Sequence, residues 1–409
     1  MKRLAAVLMV GIVLLSGCAL AKRALQTTLT AAPDTVYTAE YKDKWAYSCL
    51  PEKQKRNYGV VYAALRDGFE RDDAVTLRDG GETYCGISVK LCEVLSTEAE
   101  VRELYQALVQ DNPSFFYVGN AYGYSGTTID DDQSYDTLKL TYTMPAATRM
   151  SARAALQQRC DRILAQLDDA MTDFEKELFL HDALLSYCTY DDEAAADMQN
   201  PSHATAFSAY GALVEGKAVC EGYAFAMQYL LEQVGITATT VVGHDAENGE
   251  AHMWNAVVLD DEVYYLDPTW NDSATQPTYT FFNVTTADLL TSHRISDETI
   301  GVKAATQTTY NYYRMTGNYL DTMEHGKIAE HVAALIAAKE DCVHLRFSPE
   351  TYDNAFFFVE NASWFLETVN DCLPVGVHPL EAYLLIYDEN YNTVTICKKP
   401  LDSAAEYVV

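Results

Sequence analysis

The sequence predicts an α+β fold in which a central helix is followed by paired strands. Apolar side chains recur at helical spacing over residues 223–234, and Gly235 supplies a C-terminal stop. Residues 251–259 and 262–267 each have the pattern of a strand, and the Asp-Asp pair between them favours a turn. With 49% hydrophobic residues among 409, the chain can bury a core of ordinary size.

The segments before the central helix predict further elements in chain order. Residues 41–150 are expected to form an N-terminal α/β domain, with helices at 58–70 and 98–110, strands at 114–118 and 135–144, and a polar loop at 130–134. A helical connector over 151–172 then leads to a helix at 173–188. Thr172 and Glu175 are expected to begin that helix as a capping box.

The C-terminal region, residues 302–409, is expected to form a second flanking α/β domain. It carries an Ala-rich helix at 328–339, a strand at 342–347, and a hairpin made of 382–388 and 393–398. The predicted organisation is therefore a signal segment at 1–18, a tether at 19–40, flanking domains at 41–150 and 302–409, and a central domain at 151–301.

Cys220 comes immediately before the central helix and is a candidate nucleophile. At or just before a first helical turn, unpaired N–H groups and the positive end of the helix dipole stabilise a thiolate. The alternative is a small apolar side chain packed under the helix, which is the commoner role of a free cysteine. Position alone does not decide between the two.

His252 and Asp267 complete the residue types that thiol catalysis needs, namely a nucleophile, a base and a carboxylate that orients the base. If Asp260 and Asp261 form a two-residue loop, Trp254 lies opposite Asp267. His252 then lies diagonal to Asp267 on the same face of the sheet. A three-residue loop would place them on opposite faces. Alternatively, His252 is a core histidine and Asp267 a turn residue.

The run from about Phe174 to His293 resembles the transglutaminase-like superfamily of papain-like thiol enzymes. The resemblance rests on motifs in the family's order, which are Gly222-Tyr-Ala224 after Cys220, Gly235-Ile236, His252-Met-Trp-Asn255, Asp267-Pro-Thr-Trp270-Asn-Asp272 and Tyr279-Thr-Phe-Phe-Asn-Val284. One departure is Ala218, because the family often has glycine two residues before the cysteine.

The resemblance implies a papain-like core and makes 151–301 the expected catalytic domain. In its triad, Cys220 attacks an amide or acyl carbonyl, His252 moves the proton and Asp267 orients the histidine. The Cys220 N–H and Tyr190 are the candidate donors to the oxyanion.

Members of the superfamily include cross-linking enzymes, proteases, amidases and inactive relatives. We expect hydrolysis over cross-linking, because water is always available to an open site. The alternative is an adhesion or scaffold lipoprotein that keeps the fold without turnover.

The N-terminus has the pattern of an export signal. Lys2 and Arg3 precede an apolar run from Leu4 to Leu15 that is short for a membrane span. The following Leu15-Ser-Gly-Cys18 resembles the bacterial lipobox, in which the cysteine is lipidated. The alternative is an ordinary signal peptide cut near Ala21. The lipobox predicts a protein anchored by lipid on the extracytoplasmic face of the membrane, with a flexible tether after it.

The formal net charge of −30 argues against nucleic acid as a partner, because phosphate binding needs a basic surface. The expected partners are a peptide or protein substrate, cell-wall material included, and the membrane through the lipid anchor. An acidic surface favours basic peptides or amines, although solubility alone accounts for such a charge.

Ten cysteines are present, and eight remain once Cys18 is assigned to lipid and Cys220 to catalysis. Disulfides are compatible with an exported protein, but eight cysteines allow on the order of 100 connectivities, so their pairing stays open. The sequence has no CxxC pair and no histidine cluster with zinc-ligand spacing. We therefore expect no structural metal and no cofactor.

Overall fold

The structure is a computed structural model that describes residues 10–15, 36–77, 81–129, 132–272, 277–352 and 362–398. Its backbone groups into two compact units. The first contains the residues up to Val263 together with Asp267–Thr269 and Ser292–Ala304; the second contains Tyr264–Leu266, Trp270–Thr291 and the residues from Ala305 onward. Helices and strands are both abundant, which confirms the predicted α+β class. The predicted domain boundaries stay predictions.

The N-terminal part of the first unit combines helices with a five-stranded sheet. Its helices are α1 Thr38–Tyr41, α2 Trp45–Cys49, α3 Glu52–Asp67 and α4 Glu98–Asp111, and its strands are β1 Val10–Leu15, β2 Asp73–Thr76, β3 Thr83–Leu95, β4 Val118–Ile129 and β5 Asp132–Tyr142. The strand order is β1-β4-β5-β3-β2. A capping box at Thr97 and Glu100 begins α4. The side chain of Thr97 accepts a hydrogen bond from the backbone N–H of Glu100, and the side chain of Glu100 accepts one from the backbone N–H of Thr97.

The chain from Ala146 to Asn271, together with a short strand that begins at His293, carries the central helix and the hairpin; within it, residues 264–266 and 270–271 belong to the second unit. Its helices are α5 Ala146–Leu164, α6 Asp173–Leu185, α7 Asp192–Ala196, α8 Cys220–Gln233 and the short α9 Pro268–Asn271, and its strands are β6 Thr189–Tyr190, β7 Lys217–Ala218, β8 Ala238–Asp245, β9 Ala251–Leu259, β10 Glu262–Leu266 and β11 His293–Ile295. Strands β8 to β11 form a four-stranded sheet in the order β10-β9-β8-β11. The capping box predicted at Thr172 and Glu175 is present at the start of α6.

The second unit contains an antiparallel hairpin within a four-stranded sheet. Its helices are α10 Thr286–Leu289, α11 Tyr312–Met315, α12 His325–Ala337 and α13 Ala362–Cys372, and its strands are β12 Tyr319–Leu320, β13 Cys342–Phe347, β14 Tyr383–Asp388 and β15 Thr393–Lys398. The strand order is β12-β13-β15-β14. Buried residues of α12, such as Ile328 and Val332, share one apolar core with Leu345 and Val394 of the sheet.

One disulfide is present among the described cysteines. It joins Cys342 of β13 to Cys397 of β15, which face each other directly in the antiparallel pair. The connectivity that the sequence leaves open therefore includes this bridge. Seven further described cysteines, Cys220 among them, lie outside this disulfide.

Two predicted elements of the N-terminal region are wrong. The strand expected at 114–118 begins only at Val118, because Pro113 starts a 3-10 turn over Pro113–Phe115 and its ring fixes a helical φ. The loop expected at 130–134 is largely strand, since β5 begins at Asp132. Ladder bonds use backbone groups, so polar side chains do not prevent pairing there. Residues 130 and 131 lie outside the described residues.

Of the predicted tether at 19–40, the structure describes residues 36–40. Residues 16–35 lie outside the described part of the chain, but α1 already begins at Thr38, and Tyr41 at its end is buried. The ring of Tyr41 lies 5.4 Å from that of Tyr58 and 5.0 Å from that of Tyr62, both on α3. These aromatic contacts bind the segment to the domain.

Of the predicted signal segment, the structure describes β1 alone, as a strand parallel to β4. Cys18 lies outside the described residues, so its lipidation stays a prediction. Among the helices of the described ranges, none is long and apolar enough to cross a bilayer.

Candidate active site

Cys220 is the first residue of α8, as the sequence predicts. Every residue from Gly222 to Leu231 is buried, so this helix lies in the core with apolar side chains on all sides. Cys220 itself is half-buried, which leaves its thiol where the helix reaches the surface. The preceding Val219 offers no side-chain oxygen as a cap, and the first N–H groups of α8 are therefore not taken up by one.

Gly222 explains how the chain before the thiol packs so closely against α8. A Cβ at residue 222 would lie 2.4 Å from the carbonyl oxygen of Ala206 and 2.7 Å from the Cβ of Ala218. Val219 N donates to that same oxygen of Ala206 at 3.0 Å. The backbone on both sides of Cys220 is thereby fixed, and the small Ala218 is accommodated where the family often has glycine.

The hairpin of β9 and β10 turns through the two residues that the sequence predicts. Asp260 and Asp261 both have positive φ, 49° and 64°, as in the two-residue turns that match strand twist. Nε2 of His252 lies 2.6 Å from Oδ2 of Asp267. His252 is 8% exposed and Asp267 is fully buried. The structure thus brings these two residues together, as the two-residue loop requires.

His252 also forms a hydrogen bond with Cys220. Because Nε2 of His252 bonds Asp267, the hydrogen bond with the thiol uses the other ring nitrogen, Nδ1. Burial lowers the pKa of His252, but the charge and hydrogen bond of Asp267, aided by the bond and charge of Cys220, outweigh burial and raise that pKa to about 10. His252 therefore holds its proton at neutral pH.

Asp267 keeps its charge although it is fully buried. Burial raises the pKa of Asp267, but the charge and hydrogen bond of His252, together with the bond from His293, hold that pKa well below its usual range. The backbone N–H of Thr269 donates to Oδ1 at 2.9 Å. Hydrogen bonds thus replace the water that this carboxylate loses.

His293 is a part of the site that the sequence interpretation missed. Its Nε2 lies 3.1 Å from Oδ2 of Asp267, and its side chain is fully buried. It reaches Asp267 because β11 pairs with β8, next to the hairpin. A strand of three residues, His293–Ile295, gives no periodic signal in the sequence, and its pairing is non-local.

Tyr190 lies beside the segment that leads into Cys220. In the parallel pair of β6 and β7, Tyr190 is the register partner of Ala218. The residue is 40% exposed as a whole. Burial first, and then negative charge at Cys220, raise the pKa of Tyr190 above its usual range, so the hydroxyl keeps its proton. A protonated hydroxyl near the thiol is what an oxyanion donor requires.

Glu221 is a second titratable group beside the thiol that the sequence interpretation did not identify. Burial raises the pKa of Glu221 to about 7, and a hydrogen bond with Asn120 opposes that rise. Its position in the first turn of α8 follows from the sequence, but its partial burial follows only from the packed fold.

His252, Asp267 and His293 are also the residue types of a two-histidine, one-carboxylate metal site, and their ligand atoms lie within 4.8 Å of one another. However, His252 Nε2 is 2.6 Å from Asp267 Oδ2, whereas two ligands of a tetrahedral zinc ion lie about 3.3 Å apart. Both imidazoles also need a hydrogen at Nε2 to bond the carboxylate, and a protonated nitrogen cannot ligate a metal. This geometry fits a hydrogen-bonded array.

Residues 161–268 match the family model of the transglutaminase-like superfamily. A comparison with curated proteins gives no match. Among solved structures, one named "Crystal structure of a TGase" is 17% identical, with 39% of this chain and 48% of that chain covered and a TM-score of 0.28. A protein from Cytophaga hutchinsonii named "Putative Cysteine Protease" is 15% identical, with 34% and 52% covered and a TM-score of 0.23.

This chain spans about half the length of each of those two structures, and similarities this weak carry no argument about its activity. The family match is the informative comparison. It covers α8, the hairpin and Asp267, so all three predicted triad residues fall inside it, whereas His293 falls outside. Residues 161–268 of this chain are therefore similar to the transglutaminase-like superfamily.

Proposed function

We propose that this protein is a thiol enzyme that cleaves amide or acyl bonds in peptides or proteins, with Cys220, His252 and Asp267 as its triad. The observation that carries the proposal is the series of contacts from Cys220 to His252 and from His252 to the buried Asp267. The match of residues 161–268 to a superfamily with cysteine-based catalysis supports the same chemistry.

The resting site pairs the imidazolium of His252 with the carboxylate of Asp267. Because the pKa of His252 is raised to about 10, its imidazolium persists at neutral pH and would stabilise the thiolate that the reaction requires at Cys220. The charge of Asp267 stabilises this imidazolium, and the bond to Nε2 fixes the ring so that Nδ1 faces the sulfur.

The reaction then proceeds in two halves. The Cys220 thiolate attacks the carbonyl carbon, and the C=O electron pair moves to oxygen. Collapse of this intermediate breaks the C–N bond, and the leaving amine takes the proton from His252, which gives a thioester and a neutral imidazole. His252 next takes a proton from water as the water attacks the thioester. The second collapse releases a carboxylic acid and regenerates the thiolate–imidazolium pair.

Two donors would hold the oxyanion, the backbone N–H of Cys220 and the hydroxyl of Tyr190. Tyr190 is the register partner of Ala218, two residues before the nucleophile. Its raised pKa keeps the hydroxyl proton available for donation. Such donors matter most when they are aimed at the charge that develops during the reaction.

Hydrolysis is the preferred outcome over cross-linking. Cys220 is half-buried, so we expect water to reach its thioester without a second substrate. The net charge of −30 fits a peptide or protein substrate with basic groups better than it fits an anionic polymer. We place this chemistry outside the cytoplasm, on a membrane to which lipidated Cys18 anchors the chain.

The test of the proposal uses the chain without its signal segment, incubated with protein-derived peptides and with peptidoglycan fragments. Mass spectrometry should find products in which a bond is cleaved and one water is added. Cys220→Ala should abolish them. Cleavage that persists in Cys220→Ala would contradict the proposed nucleophile, and joined substrates without added water would replace hydrolysis by transfer.

Tyr190→Phe tests the oxyanion role by removing the hydroxyl alone. It should lower kcat by about 10²–10³-fold, as the loss of one oxyanion donor does, and leave alkylation of Cys220 unchanged. Tyr187→Phe is the matched control, because Tyr187 is similarly exposed at 39% and its hydroxyl bonds the carbonyl oxygen of Val214. Equal kcat values for the two variants would remove Tyr190 from the mechanism.

A further inference from the structure

Asp267 accepts hydrogen bonds from two imidazoles at one oxygen, and only one of them belongs to the triad. His252 Nε2 is 2.6 Å from Oδ2, and His293 Nε2 is 3.1 Å from the same atom. The other oxygen, Oδ1, accepts from Thr269 N at 2.9 Å. The proposed mechanism uses the bond to His252 and gives no task to His293.

The sheet places His293 on the face that carries His252. Strand β8 lies between their two strands, with Gly243 opposite His252 and Asp245 opposite His293. Paired residues share a face, and so do residues two apart on a strand. Both imidazoles therefore project to the same side, where Asp267 lies between them.

Trp254 fills the space beside the two imidazoles. Its ring lies 5.7 Å from the ring of His252 and 4.8 Å from that of His293, the latter edge to face at 73°. Gly243 makes this possible, since a Cβ there would come within 2.4 Å of the Trp254 ring. Packing thus fixes the planes in which both imidazoles lie.

The neighbours of His293 fix its tautomer. A carboxylate only accepts hydrogen bonds, so His293 Nε2 carries a hydrogen toward Asp267. In the neutral ring Nδ1 is then an acceptor, and Ser292 Oγ lies 2.8 Å from it, placed to donate. Arg294 donates from Nη1 to the carbonyl oxygen of His293 at 2.8 Å.

We propose that His293 is a positioning residue that holds Oδ2 of Asp267 in the orientation required by the N–H of His252. A carboxylate side chain can turn about its last bond, and the His293 ring, a rigid donor at Oδ2, restrains that rotation. The inference deepens the proposed function and rests on it, because His293 acts only through the triad.

The test measures the rate at which iodoacetamide alkylates Cys220 at pH 6, where an ordinary thiol is roughly 0.3% ionised. His293→Phe keeps an aromatic ring against Trp254 but removes the donor. It should slow alkylation by about 10-fold, as the loss of one charge-assisted hydrogen bond does. His293→Gln retains an amide N–H that can reach Asp267 and should recover most of the rate.

Two controls separate positioning from packing. His181→Phe removes a buried histidine of α6 and should leave the rate unchanged. In an Asp267→Asn background, His293→Phe should cause no further loss, because the two residues act as one unit. If His293→Phe does not fold, His293→Asn replaces it, since the shorter amide cannot reach Oδ2 and should be slower than His293→Gln.

The outcomes distinguish this inference from the proposed function. A rate in His293→Phe equal to the wild-type rate would overturn the inference alone. So would equal slowing in His293→Phe and His293→Gln, because that result indicates packing. A wild-type Cys220 that reacts no faster than free cysteine would overturn both proposals.

Discussion

Asp267 combines complete burial with a retained negative charge, and donors at both of its oxygens make this combination stable. They include the rings of His252 and His293 and the backbone N–H of Thr269. A buried carboxylate without such partners would take up a proton instead. The site therefore depends on the carboxylate's charge as well as on its shape, and a substitution that keeps the shape can test this.

Asp267→Asn is that substitution, since it removes the charge and retains the size. An amide oxygen binds an N–H less strongly, and a rotated amide presents a donor that favours the wrong tautomer of His252. We expect kcat to fall by about 10²–10⁴-fold with little change in KM or in the circular dichroism spectrum. Adding His252→Ala should lower kcat little further.

The matched control for that variant is Asp182→Asn. Asp182 also bonds a histidine ring, with its Oδ1 2.9 Å from Nδ1 of His181, but it lies outside the candidate site. Activity close to wild type is expected for it. Full activity in Asp267→Asn would remove Asp267 from the mechanism.

The raised pKa of His252 predicts how stability depends on pH. A folded-state pKa of about 10, above the unfolded value of about 6.5, gives a stabilising contribution that is complete below pH 6.5 and is lost as pH rises toward 10. The free energy of unfolding of the wild type minus that of His252→Gln should therefore fall by a few kcal/mol between pH 6.5 and 10. Urea unfolding at each pH measures it, and a difference that is constant or grows would contradict the ion pair.

At the scale of elements, the sequence predicts what is local and misses what is paired over distance. The start of α8 at Cys220 and the turn at Asp260-Asp261 are encoded in neighbouring residues, and both are found. The long strand β3 and the short strand β11 are not predicted, because their ladders join residues far apart in the chain. His293 is the first residue of β11, so its approach to Asp267 could not be predicted without that pairing.

Gly243 of β8 is the position at which the packing of β8 against its neighbours β9 and β11 can be tested. A Cβ there would lie 2.2 Å from the carbonyl oxygen of Arg294 and 2.4 Å from the ring of Trp254. Gly243→Ala must therefore displace β11 or the tryptophan. We expect it to lower the free energy of unfolding by about 1–3 kcal/mol and to slow alkylation of Cys220.

Gly326→Ala is the matched control for that substitution. Nothing lies within 4 Å of a Cβ at Gly326, which belongs to the first turn of α12. This variant should be neutral or more stable by up to about 1 kcal/mol, because alanine favours a helix. Urea unfolding of both variants gives the comparison, and a Gly243→Ala protein as stable and reactive as wild type would show that the strands can move apart without cost.

At the scale of the whole molecule, the net charge of −30 bears on how the chain could remain at a membrane. A membrane leaflet that contains anionic lipids attracts basic protein segments and repels an acidic protein surface. One acyl chain gives only marginal binding, and stable anchoring needs a second acyl chain or a basic patch. A strongly acidic chain opposes that attraction, so the proposed attachment at Cys18 would have to provide most of the membrane affinity through its lipid.

Cys18→Ser therefore tests the proposed anchor directly. The full wild-type chain, expressed in a bacterial host, should sediment with membranes and remain there in high salt, because its attachment does not depend on charge. Cys18→Ser should leave the membrane fraction and lose the lipid-modified electrophoretic mobility. Cys49→Ser, which alters an exposed free thiol, is the matched control and should behave as the wild type does. A Cys18→Ser chain that is still lipid-modified and membrane-bound would place the anchor elsewhere, and a wild type cut near Ala21 and released would replace the anchor with an ordinary export signal.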